Sequence, residues 1–234
     1  MHITTPLVKK AQEYVVNLFT NHLSKNHRFH NLDHTKNVVR AVGIISDYLE
    51  LDTVDQEILL LAAWFHNTGY LSKSINNKLI ASLIAENYLE PTELSQKAMS
   101  AISNCILATK DDSGTKNILE EIMQDANLFH LSQDNYWSKN SLLRTELKLT
   151  SELTYTDGQW YNINLNLLKN TSFKTPYGQK YLERARVTLI YENEAILKSI
   201  SGTDKEIGSP TASFFPSMGT KEIIVLESGC KIEI

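Results

Sequence analysis

The run Ile58-Leu59-Leu60-Leu61-Ala62-Ala63-Trp64-Phe65 constrains this chain more than any other segment. Consecutive apolar residues without glycine or proline have no polar face to turn toward water, so a helix built from them must be enclosed. Thr53 and Gln56, just ahead of the run, resemble a capping box and mark a helix start. We therefore expect a central, buried helix with others packed around it.

The surrounding apolar spacing is helical as well. Thr5 followed by Pro6 is a good N-cap with proline at the first helical position, and Leu7, Val8, Ala11, Tyr14, Val15, Leu18 and Phe19 form one stripe behind it. A second helix is expected from about His34 to Leu49, with Val38, Val42, Ile45 and Leu49 inward. Further helices are expected over about 75–90, from Thr92 through Ile106, and near 116–130, 134–149 and 157–169. Thr175-Pro176 repeats the start signal for a last long helix to about Ile200. No long β-branched alternation occurs in the first 200 residues, so the fold class is all-α.

Composition sets the outer limits. With 42% hydrophobic and 21% charged residues, 234 residues can bury a substantial core, which excludes wholesale disorder. A net charge of −4 argues against a whole-chain binder of nucleic acid or anionic membrane. No stretch approaches the roughly 18–20 apolar residues that span a bilayer. The N-terminus lacks the basic and apolar blocks of a secretion signal, so a cytoplasmic protein is expected. Cys105 and Cys230 lie far apart, neither in a metal-ligand spacing, and imply no disulfide framework. Ser201 to Gly219 reads as linker, and Glu222 to Ile234 is β-prone, with a hairpin turn expected at Ser228-Gly229. The expected organisation is a helical domain over 1–200 and a small extension over 201–234.

Polar chemistry is concentrated in two segments. One is His27-Arg28-Phe29-His30-Asn31-Leu32-Asp33-His34-Thr35, where a loop enters the second helix. The other is Ala62-Ala63-Trp64-Phe65-His66-Asn67-Thr68-Gly69-Tyr70, where the buried helix ends. Either histidine alone has a plain explanation, as a ring that satisfies helix-end carbonyls. His2, His22 and His130 have no such context and receive no role.

Taken in order along the chain, these blocks carry a resemblance. Phe29 to Thr35, Ala62 to Tyr70, Ile106 to Lys110 and Asp125 to Leu128 resemble the motifs of the HD superfamily of metal-dependent phosphohydrolases, in particular a small bacterial branch. Leu142-Leu143-Arg144-Thr145-Glu146 and Phe173 to Gly178 are similar to that branch too, so the resemblance covers about residues 10–200. It implies an HD-type helical bundle. It further implies that two histidines and two aspartates hold one or two divalent ions, Mn, Fe, Ni or Zn, which activate a water for attack on a phosphoester. His34 and His66 match the histidine ligands. At the two aspartate positions stand Asn67 and Asn127, and Asn77-Lys78 stands where many relatives carry a His-Glu pair.

That departure matters. An amide offers one neutral oxygen, and its nitrogen is a donor. A unit charge at 4 Å is worth about 4 kcal/mol at an effective dielectric of 20, so losing two carboxylates weakens metal affinity by orders of magnitude. A weak or absent metal is the expectation, and Lys78 adds repulsion if it points inward. Three explanations stay open: an impaired relative that keeps the fold, an active enzyme that recruits Asp33 or Asp125, or an engineered inactive variant. Arg28, His30, Lys110 and Arg144 lie in or beside the motifs and are the candidate contacts to a nucleotide or other phosphate-containing ligand. The plainer alternatives are that Arg144 pairs with Glu146 and that Lys110 is a solvated charge. A protein partner is the other expected role. Oligomeric state is not set by the pattern.

Overall fold

The computed structural model describes residues 5–72, 76–110, 114–201, 223–225 and 231–233. Among them the chain is all-α apart from one short hairpin. The helices are α1 (Pro6–His22), α2 (Leu32–Tyr48), α3 (Thr53–Phe65), α4 (Asn77–Leu89), α5 (Gln96–Leu107), α6 (Ile118–Asn127), α7 (Tyr136–Ser151), α8 (Asp157–Asn170) and α9 (Glu183–Ser201). Single 3-10 turns at Thr68–Leu71 and Phe129–Ser132 follow α3 and α6.

The apolar run sits where its composition demands. Every residue from Ile58 to Phe65 is buried, and α3 packs against α1, α2, α4, α5 and α6. Each such leucine or isoleucine contributes about 1.5–3 kcal/mol on burial. Thr5 caps α1 as expected, its Oγ1 accepting from Val8 N at 3.2 Å. Two starts differ from expectation. Asp52, not Thr53, caps α3 by accepting from Asp55 N at 2.9 Å, and Gln56 Nε2 reaches back to Leu51 O instead of completing a box. Ser95, not Thr92, opens α5, because Thr92 Oγ1 is taken by Leu89 O at the end of α4.

Two glycines mark close approaches. A Cβ on Gly69 would lie 1.8 Å from the Asn77 carbonyl oxygen, so glycine here lets the first turn of α4 rest on the 68–71 turn. A Cβ on Gly178 would lie 2.4 Å from Asp125 Oδ2. Thr175-Pro176 does start the last helix, which passes through a π-helical segment at Gly178–Leu182 before continuing as α9. Thr175 Oγ1 accepts from Gly178 N at 3.0 Å and donates to Asp125 Oδ2 at 2.7 Å.

Cys105 is buried, and burial pushes its thiol up to about 12, consistent with a small core residue. Cys230 lies outside the described residues. Ile223–Val225 and Lys231–Glu233 pair antiparallel, as expected of a hairpin, while its expected turn at Ser228-Gly229 and the stretch Gly202 to Gly219 lie outside the described residues. Among the described residues no helix is long and apolar enough to cross a membrane.

Candidate functional site

Three helix ends build the site. Asn31 caps α2, its Oδ1 accepting from Asp33 N at 3.0 Å and His34 N at 3.1 Å, and so fixes His34 in the first turn. His66 is the C-cap of α3, with its N–H on Ala62 O. Asn127 is the last residue of α6. These ends bring the His34 and His66 rings to 5.7 Å between centroids and place His34 Nε2 3.4 Å from Asn127 Oδ1. Two residues 32 positions apart in sequence thus become neighbours, with a third from position 127 beside them.

His66 Nδ1 lies 2.7 Å from Ala63 O, so it carries the proton and donates. That leaves Nε2 with its lone pair, fully buried and without a hydrogen-bond partner among the described residues. Asn67 is equally buried. Its Oδ1 accepts from Lys78 Nζ at 3.0 Å, while its Nδ2 is a buried donor with no partner among the described residues. Lys78 Nζ also donates to the His66 carbonyl at 3.3 Å. Lys78 therefore does point inward.

More rings surround this pair than the motifs suggest. Phe29 lies 4.8 Å from His34, His30 5.9 Å and His130 6.0 Å, and Tyr70 stacks on His30 at 4.2 Å. His130, which the motifs leave without a role, joins them: the 3-10 turn after α6 carries it back, and its Nδ1 lies 3.1 Å from Asn127 O. The i,i+3 spacing from residue 127 is the only signal of it in the sequence. Burial, then the charges of the neighbouring rings, holds His34 well below the ordinary histidine range. Burial and then Lys78 do the same for His66. Burial brings His130 down to about 4. His34, His66 and His130 are accordingly neutral at pH 7.

Glu146 is the second residue the motifs do not reveal, its segment suggesting only a mate for Arg144. It accepts from Phe29 N at 2.7 Å and His30 N at 2.9 Å, and its other oxygen lies 2.6 Å from His30 Nδ1. Burial opposes its ionisation, but the His27 ring 3.6 Å away and the bonds from His30 outweigh that and hold it well below the usual carboxylate range. It clamps the loop that carries the first histidines. Arg144 turns away, to Asp157 at 2.6 Å and to the Tyr155 carbonyl. It neither pairs with Glu146 nor faces the cluster. Arg28 and Lys110 are exposed, so of the four expected ligand contacts His30 is the one packed into the cluster.

The carboxylates that could replace the missing pair are elsewhere. Asp33 is exposed. Asp125 is fully buried, and both oxygens are engaged by Lys174 N at 2.8 Å, Thr175 N at 2.8 Å and Thr175 Oγ1. It anchors the start of the last helix. Among the described residues no group of three or more His, Cys, Asp or Glu is arranged to hold a metal. Two neutral amides, one already bonded to an ammonium, do not suit a divalent ion. Toward solvent, a cavity of about 10 Å³ opens beside the cluster, lined by His34, Asn127 and His130 with Arg40 and Lys139 and no carboxylate. It admits one water-sized group.

The fold and site define an all-α domain whose helix ends converge on a histidine cluster with a lysine turned into it. The chain matches no known family model and no curated protein. It is similar to the crystal structure of a Lactobacillus plantarum protein solved as a structural-genomics target, with a TM-score of 0.62 and 17% identity over 86% of this chain and 100% of that one. At that identity the likeness concerns the fold alone.

Proposed function

We propose that this domain is a catalytically impaired relative of the HD-type phosphohydrolases that binds a phosphate-containing small molecule without a metal. The observation that carries the reading is the Lys78 ammonium bonded to Asn67 Oδ1, at one of the two positions where the resemblance implies ligand aspartates and asparagines stand. A divalent ion placed there would meet a fixed positive charge and two neutral amides. A phosphoryl oxygen at the adjoining cavity would instead meet Arg40 and Lys139, with no carboxylate among the residues that line it. The small cavity accepts one oxygen or a water, so the bulk of such a ligand stays outside the cluster.

Isothermal titration of the full chain with inorganic phosphate and nucleoside mono- and triphosphates, in EDTA, tests this. Binding that persists in EDTA and weakens about tenfold in Arg40→Ala with Lys139→Ala is expected, one charge-assisted bond being worth about 1.5–3 kcal/mol. Release of phosphate from a substrate panel with added Mn, Co or Ni, abolished by His66→Ala, would establish the competing reading of an active metal-dependent phosphohydrolase.

A further inference from the structure

Asn67 has one atom to offer a cation, and Lys78 already holds it. Nζ lies 3.0 Å from the Asn67 side-chain Oδ1 and 3.3 Å from the His66 backbone carbonyl, and both residues are fully buried. The approach is built into the backbone: Gly69 lets the Asn77 carbonyl come where any Cβ would collide, and this seats the first turn of α4, with Lys78 on it, over the end of α3. We propose that the Lys78 ammonium is the resident cation of this site, standing in for a divalent metal and barring its entry. The inference rests on the reading above that residues 34, 66, 67 and 127 occupy HD-type ligand positions.

Charge arithmetic supports an exchange of parts. Two aspartates and a divalent ion sum to zero, whereas two asparagines and one ammonium sum to +1. The site keeps a cation that cannot dissociate, held by Asn67 Oδ1 and the His66 carbonyl. On this view Asn67, Asn127 and Lys78 form one coordinated replacement, and Lys78 is the element that keeps metal out.

Metal loading of the full chain tests it directly. Purified protein is incubated with Ni²⁺ or Mn²⁺, dialysed, and its metal content measured in three forms. The unchanged chain and Asn67→Asp with Asn127→Asp are expected to retain at least about tenfold less metal than the triple form that adds Lys78→Gln, because a carboxylate introduced at position 67 would pair with the ammonium. The triple form is expected to hold about one ion per chain. Equal loading of the double and triple forms overturns the proposal, as does a folded triple form, by circular dichroism, that takes up no metal. Should the triple form not fold, the double form decides: stoichiometric metal with Lys78 in place overturns it, and its absence supports it. Phosphate titration of the unchanged chain is scored separately, so failure of the ligand reading and failure of the lysine reading are distinguishable.

Discussion

Replacing Glu146 by glutamine removes one charge and almost no volume, yet the geometry predicts a large loss of stability. The carboxylate is buried, and its oxygens take two backbone N–H groups, at 2.7 and 2.9 Å, and the His30 ring at 2.6 Å. A glutamine keeps one acceptor oxygen and turns an NH₂ toward at least one of those donors. Hydrogen bonds to a charged group are worth about 1.5–3 kcal/mol each, and removing one member of a buried pair costs about 3–5 kcal/mol. We expect Glu146→Gln to lose about 3 kcal/mol. For a domain of this size that lowers the melting temperature by about 6–12 °C. Arg144→Ala, two residues away, is the control. Its partner Asp157 is exposed, so that pair is worth about 1 kcal/mol at most. Urea denaturation of both variants at pH 7 measures the difference. A Glu146→Gln loss below about 1 kcal/mol, or an equal loss in Arg144→Ala, would refute the assignment of Glu146 as the clamp on the 27–30 loop.

Acid should weaken the fold well before its carboxylates titrate. The His130 ring is brought down to about 4 by burial, so between its unfolded value near 6.5 and that point the unfolded chain binds the extra proton. Stability is expected to fall as pH drops from about 6.5 to 4, by up to about 3 kcal/mol for His130, with His34 and His66 acting in the same direction. Urea midpoints unchanged over that window would contradict the neutral state of these three rings. Asp125→Ala strands three donors at the start of the last helix and should cost about 3 kcal/mol, read by thermal melting, with the His34 and His66 imidazole signals little moved. Gly69→Ala should displace the first turn of α4, costing about 1–3 kcal/mol and shifting those same imidazole signals.

What can be read in the sequence is what local chemistry decides. The apolar run of α3, the Thr5-Pro6 start and the Thr175-Pro176 start depend on residues within one turn of one another, and all three stand. Where two acceptors compete within a few positions, the pattern points to the wrong one. Asp52 and Ser95 cap their helices, and the neighbouring threonine at 92 serves the preceding helix end instead. The cluster is legible in part because His34 and His66 sit at helix ends that the apolar pattern already locates. Its supports are not. Glu146 reaches residues 116 and 117 positions away, and nothing in its own segment distinguishes it from a surface carboxylate beside an arginine.

The surplus of nineteen asparagines over ten aspartates shows the same division between local and tertiary causes. Asn31 and Asn117 cap α2 and α6, a role either residue type performs well. Asn140 and Asn164 lie in the core, where Trp160 Nε1 donates to Asn140 Oδ1 at 2.6 Å and Asn140 donates to Asn164. There an amide supplies both a donor and an acceptor without a buried charge, which an aspartate cannot do. Asn67 is different, because its acceptor is used and its donor is not. A buried amide N–H without a partner costs about 1–3 kcal/mol, which packing alone gives no reason to tolerate. A water or a ligand oxygen reaching that N–H would remove the cost.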